Sequence, residues 1–145
     1  MNRALIVYFD TCCYSRLFDG KISPEVMAEA GRIRYIIRNR LSGKYIIVGS
    51  DIVTAEVRQN PDDNERGIIE ELYNMIISDE ATAHPQRATR AAELELKGLK
   101  TMDARHLAAA EVMGADYLLT VDKEFLKKAS RPKFTTVKVI NPIDF

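Results

Sequence analysis

The sequence predicts an α/β fold in which a parallel β-sheet carries helices on both faces. Three observations predict it. Continuous apolar runs, rich in β-branched and aromatic residues, recur at Ala4–Phe9, Tyr45–Val48 and Tyr117–Thr120, and such runs mark strands buried on both sides. Segments with apolar residues at helical spacing alternate with them, the order a parallel sheet requires. No Pro/Gly/Ser-rich linker divides the chain, so residues 1–145 read as a single domain, long enough for a sizeable core.

Ala4–Phe9 is the first strand and stops at Asp10-Thr11. Cys12–Phe18 reads as a short helix closed by Asp19-Gly20. Ser23-Pro24-Glu25 opens the next helix with a cap residue, a proline in the first turn and an acid at the positive end of the helix dipole. Val26, Ala30, Ile33, Ile37 and Leu41 form its inner stripe, and Arg32, Arg34, Arg38 and Arg40 lie off it. Gly31 weakens the middle, and Ser42-Gly43 ends the helix.

Tyr45–Val48 is the second strand, ended by Gly49-Ser50, and Asp51–Arg58 is a short helix carrying Glu56. After a turn at Asn60–Asp63, a helix from Asn64 to Ile77 turns Ile68, Ile69, Leu72, Met75 and Ile76 inward. A weak strand follows at Ala81–Ala83. His84-Pro85 leads into an alanine-rich helix, Gln86–Leu96, closed by Lys97-Gly98. The helix Ala104–Met113 is apolar nearly all round, which implies burial against the sheet, and Gly114 is its C-terminal glycine. Tyr117–Thr120 is a strand, Lys123–Ala129 a basic helix, and Thr135–Ile140 the last strand, ended by Asn141-Pro142.

The 21 basic and 21 acidic side chains cancel. A broad polyanion-binding surface is therefore excluded, and any nucleic-acid contact is a local patch. Cys12 and Cys13 are adjacent. Their Cα atoms lie about 3.8 Å apart, short of the roughly 4.4–6.8 Å of a disulfide. Unpaired thiols suit a reducing cytoplasm, and with no base beside them both read as small apolar fillers. The segment Met1–Asp10 reaches an acid too early for a signal peptide, and no apolar run is long enough to span a membrane.

Ligands of open α/β sheets bind outside the carboxyl ends of the strands. Asp10 and Asp122 stand just past two strand ends, Glu56 on the helix after a third, and Asp103 at the start of the buried helix. Any one of the aspartates suits a helix cap. Four acids at one sheet edge repel one another and call for a cation. Oxygen donors alone select Mg²⁺ or Mn²⁺, and no His or Cys has zinc-ligand spacing. Such an ion keeps room for a phosphate oxygen and an attacking water, so hydrolysis of a phosphodiester is the expected chemistry.

Supporting candidates surround the acids. Thr11 and Thr120 read either as groups that hold a water or as satisfied strand-end hydroxyls. His106, one turn past Asp103, reads first as a packed core histidine and second as a support for the acids. Asp51 reads as a helix-capping acid rather than a fifth member of the set. Lys123, Lys127, Lys128, Arg131 and Lys133 form the better candidate track for an RNA backbone.

Several segments resemble the PIN-domain nucleases: Phe9-Asp10-Thr11, Ala55-Glu56, the run Lys100-Thr-Met-Asp103-Ala-Arg-His106-Leu-Ala-Ala-Ala, Gly114-Ala-Asp-Tyr-Leu-Leu-Thr120-Val-Asp122-Lys-Glu-Phe, and Val139-Ile-Asn-Pro142. Cys12 departs from the small polar residue usual there, and the segment carrying Ser23–Leu41 is rather long. The resemblance implies a five-stranded parallel sheet in the order 3-2-1-4-5. It implies Asp10, Glu56, Asp103 and Asp122 as catalytic metal ligands for Mg²⁺ or Mn²⁺. It also implies metal-dependent cleavage of RNA, whether tRNA, rRNA or mRNA. A free-standing domain of this size is similar to the VapC-type toxins of toxin–antitoxin pairs, which implies a homodimer, a partner antitoxin and a cytoplasmic location. The competing expectation is a non-catalytic module of the same fold that binds RNA or protein.

Overall fold

Five strands, all parallel, pair in the order β3-β2-β1-β4-β5 in a computed structural model that describes residues 3–145. Met1 and Asn2, part of the segment read against a signal peptide, lie outside the described residues. The strands are β1 (Leu5–Phe9), β2 (Tyr45–Ser50), β3 (Ile77–Ala81), β4 (Tyr117–Leu119) and β5 (Lys138–Ile140). β1 is central and pairs Leu5 with Tyr45 on one side and Phe9 with Leu119 on the other. Val7, Tyr8 and Phe9 are buried, as a strand covered on both faces demands.

Seven helices connect them: α1 (Thr11–Arg16), α2 (Pro24–Asn39), α3 (Asp51–Arg58), α4 (Asp63–Ile76), α5 (Pro85–Leu96), α6 (Thr101–Val112) and α7 (Lys123–Ala129). Ser23 caps α2, its hydroxyl accepting from the Val26 amide at 3.1 Å. α6 is the innermost helix, with Ala104, His106, Leu107, Ala108, Ala109 and Ala110 all buried. Its alanines offer little side-chain bulk on any face, which lets the helix lie close against its neighbours. Among the described residues no helix is long and apolar enough to cross a membrane.

The sheet order and the parallel pairing match the expectation, and several boundaries do not. β3 runs over Ile77–Ala81, not Ala81–Ala83, and Ile77 belongs to it rather than to α4. It is an edge strand with Ser78 and Asp79 exposed, so it lacks the apolar run that betrays a buried strand. The last strand shortens to Lys138–Ile140. Leu41 is 82 % exposed. α2 ends at Asn39, and a 3₁₀ turn at Arg40–Ser42 swings Leu41 off the inner stripe. On α4 the buried stripe is Ile69, Tyr73 and Ile76, while Ile68 and Met75 face solvent.

Gly49 is required by Tyr73. A Cβ at position 49 would stand 2.2 Å from the Tyr73 hydroxyl oxygen, which donates to the Ser50 carbonyl at 3.1 Å. This contact settles α4 against the end of β2, where α3 begins.

Candidate metal centre

Asp10 follows β1 directly and is tied to the neighbouring strand. Its amide donates to the Leu119 carbonyl at 3.0 Å, and its Oδ2 accepts from the buried Thr120 hydroxyl at 2.7 Å. Only 6 % of Asp10 is exposed. Asp122, just past β4, caps α7: its Oδ1 accepts from the amides of Glu124 at 2.9 Å and Phe125 at 3.1 Å. Asp103 lies in the first turn of α6, behind Lys100. Glu56 rides on α3, which Ser50 caps through the Val53 amide at 3.3 Å.

All four acids line one open cleft, together with Thr11, Cys12, Gln59 and Asn60. The four acids thus share one cleft, but among the described residues the tight group is Asp10, Glu56 and His106, and Asp103 and Asp122 stand outside it. Asp103 registers the cost of the shared cleft: burial, then the charges of Asp10 and Asp122, push its carboxyl up to about 6. A carboxyl lifted this way marks a site with more negative charge than its own surroundings neutralise.

His106 stands on the floor of this cleft. It is buried, as a core histidine would be, but its contacts are those of a site residue. Nε2 bonds to Oε1 of Glu56 and lies 3.5 Å from Oδ1 of Asp10, while Nδ1 lies 2.7 Å from the Tyr8 hydroxyl. The Tyr8 oxygen is in turn 2.6 Å from Ser50 Oγ. Burial pulls the imidazole pKa down, but the Glu56 hydrogen bond and the charges of Asp10, Glu56 and Asp103 outweigh it and hold the ring above its ordinary value. For Glu56, burial pushes upward, and His106 and the Thr11 hydroxyl overcome it, leaving the acid below its ordinary range.

The supporting residues resolve as follows. Thr11 donates to Oε1 of Glu56 at 2.7 Å, and Thr120 donates to Asp10, so both hydroxyls anchor acids. Cys13 is the buried filler expected, its thiol against the Leu119 carbonyl at 3.2 Å. Cys12 is not: its sulfur borders the cleft, 3.3 Å from both Asp10 Oδ2 and Thr120 Oγ1. Asp51 pairs with Arg87 through contacts of 2.6 and 3.0 Å and stays outside the acid set, and Ser50 is the cap.

Of the basic candidates, Lys123 follows the cleft acid Asp122 and pairs with Glu25 at 3.3 Å. Lys128 pairs with Glu124 at 2.9 Å. Lys127 is exposed on α7, and Arg131 and Lys133 lie beyond its far end. The sequence reading missed Lys100, which pairs with Glu124 at 3.0 Å and whose ammonium is stabilised by Asp122 and Asp103 as well. It also read Asn60-Pro61 only as a turn, although both line the cleft.

Among the described residues, one ligand atom each from Asp10, Glu56 and His106 lie within 4.8 Å of one another. Nε2 of His106 faces two carboxylates, so it carries a proton and offers no lone pair to a metal. The free donors are carboxylate oxygens, a set that fits a hard cation such as Mg²⁺ or Mn²⁺.

Residues 7–131 match the family model of the PIN domain. The fold is similar to that of VapC20 from Mycobacterium tuberculosis, a toxin that cleaves the sarcin–ricin loop. The TM-score is 0.61 at 15% sequence identity, covering 91% of this chain and 98% of that one. No curated protein matches the chain by sequence.

Proposed function

The chain belongs to the PIN domain family, and from that premise we propose that it is a Mg²⁺- or Mn²⁺-dependent endoribonuclease, the toxin of a toxin–antitoxin pair. The observation that carries the reading is the cleft itself: four acids on separate elements, with the Asp103 carboxyl held at about 6 by burial and its acidic neighbours.

Asp10, Asp103 and Asp122 would hold the cation, and Glu56 would complete the set or orient the attacking water. The cation, when bound, supplies Lewis-acid stabilisation of the charge that builds on the phosphoryl oxygens. The chain's own groups do the remaining work. Thr120 fixes Asp10 and Thr11 fixes Glu56, so the acids keep their places before any ligand arrives. Lys100 and Lys123, the basic groups next to the cleft acids, hold the RNA backbone on either side of the scissile phosphate, with Lys127, Lys128, Arg131 and Lys133 as its more distant track.

The likeness to VapC20, a toxin that cleaves the sarcin–ricin loop, supports a structured RNA as substrate; the antitoxin partner and the homodimer rest on the resemblance of the sequence to the VapC-type toxins. The free thiols of Cys12 and Cys13 suit the cytoplasm. Incubation with a pool of structured RNAs in Mn²⁺ tests the activity. The wild-type protein yields discrete fragments and Asp10→Asn yields none while keeping its circular dichroism. Equal cleavage by both would refute the assignment. RNA retention without cleavage would favour the non-catalytic module.

A further inference from the structure

A train of buried hydrogen bonds leads into the cleft from beneath. Ser50 Oγ lies 2.6 Å from the Tyr8 hydroxyl, which lies 2.7 Å from His106 Nδ1, and His106 Nε2 bonds to Oε1 of Glu56. Ser50, Tyr8 and His106 are all essentially excluded from solvent. The train closes on itself, because Ser50 caps α3 and Glu56 lies further along that helix. Three elements that share no sequence proximity (β1, α3 and α6) are thus pinned to one carboxylate oxygen.

The directions of the bonds are consistent. Nε2 faces carboxylates, so it donates; Nδ1, the Tyr8 hydroxyl and the Ser50 hydroxyl then share the remaining protons along contacts of 2.7 and 2.6 Å. Oε1 of Glu56 takes a second donor, the Thr11 hydroxyl at 2.7 Å. Among the described residues no protein donor reaches Oε2, and Glu56 lines the cleft. A free glutamate would swing toward a cation through its three side-chain torsions. With Oε1 held by two donors, the carboxylate cannot turn freely, because turning would break its bonds to the buried imidazole N–H and to Thr11.

Resting on the nuclease reading, we infer that His106 is a positioning residue: with Tyr8 and Ser50 behind it, it locks Oε1 of Glu56, so that Glu56 presents Oε2 to the attacking water. Oε2, the oxygen that no protein donor holds, is then the atom that orients the attacking water, and His106 acts on the rate rather than on metal affinity.

The experiment pairs kinetics with calorimetric titration of Mn²⁺ on the same proteins. Tyr8→Phe keeps the ring and deletes the hydroxyl behind His106. His106→Gln keeps an N–H donor near the Nε2 position, and His106→Leu removes it. kcat falls about tenfold in Tyr8→Phe, and about a hundredfold in His106→Leu with partial recovery in His106→Gln. KM for RNA and the Kd for Mn²⁺ stay within about twofold of wild type in each folded variant, as expected for lost positioning alone. An unchanged kcat in Tyr8→Phe and His106→Leu overturns the inference, and so does a Kd for Mn²⁺ that worsens in step with kcat. Because Tyr8→Phe leaves the buried imidazole in place, it decides the matter even where His106→Leu folds poorly. If the wild-type protein binds Mn²⁺ but cuts no RNA, the nuclease reading itself fails and this inference with it, a result distinct from every variant-specific outcome.

Discussion

The hydroxyl of Thr120 and the carboxylate of Asp10, 110 residues apart in the chain, share a buried hydrogen bond of 2.7 Å. It joins the acid after β1 to the last turn of chain before Asp122, so two cleft-lining acids are held by one contact. Thr120→Val keeps the shape and removes the donor. Leaving a buried carboxylate oxygen short of a partner costs about 1–3 kcal/mol. Urea denaturation should show a loss in that range, and calorimetry should show weaker Mn²⁺ binding.

Asp103→Asn separates stability from activity. In the metal-free protein the folded-state carboxyl is raised to about 6, above its unfolded value of 3.8. The folded protein therefore takes up a proton before the unfolded chain does, and this group's contribution to stability is greatest below about pH 4 and is lost as pH rises through 6. The substitution should stabilise the metal-free protein at pH 7.5 and make little difference below about pH 4. A shift of about two units corresponds to at most about 3 kcal/mol; with the side chain partly open to water, about 1 kcal/mol is expected. Denaturation curves at the two pH values check this. RNA cleavage should be abolished in the same variant.

Gly49→Ala tests the packing that seats α3. The new methyl would stand 2.2 Å from the Tyr73 hydroxyl oxygen and 2.6 Å from two of its ring carbons. Overpacking of this kind costs about 1–3 kcal/mol. Adding Tyr73→Leu should recover part of that loss, giving a non-additive cycle in urea denaturation.

Lys123→Ala and Lys100→Ala test the cations at the cleft. Both lysines sit in exposed ion pairs, with Glu25 and Glu124 respectively, and such pairs contribute little to stability. Melting temperatures should barely move. Binding of RNA to a cleavage-dead Asp10→Asn background should weaken, and the slope of log affinity against log salt should fall by about one per lysine.

The parallel sheet and the acid cleft were legible because each rests on a local signal, whereas the strand order came only from the resemblance to the PIN-domain nucleases. Apolar runs locate the ends of β1, β2 and β4, and the carboxyl ends of those strands fix where Asp10, Glu56 and Asp122 come out. Asp103 is read from the helix it opens. β3 was misplaced because an edge strand needs no apolar run on its open side. His106 was legible only as a second reading, and the place of Cys12 at the cleft was hidden, for a different reason. A histidine among alanines and a cysteine before another cysteine both look like packing, and only the lie of α6 and α1 against β1 turns them toward the acids. Tyr8 was read as apolar strand. Its ring is buried as that reading requires, and its hydroxyl, which carries the hydrogen bonds, has no pattern in the sequence.

Calorimetric titration of Mn²⁺ into the wild-type protein and into Asp10→Asn, Asp103→Asn and Asp122→Asn tests the central claim most directly. The cleft predicts saturable binding to the wild type and its loss or severe weakening in all three variants. Wild-type binding retained unchanged in any two of them would contradict a shared cation site.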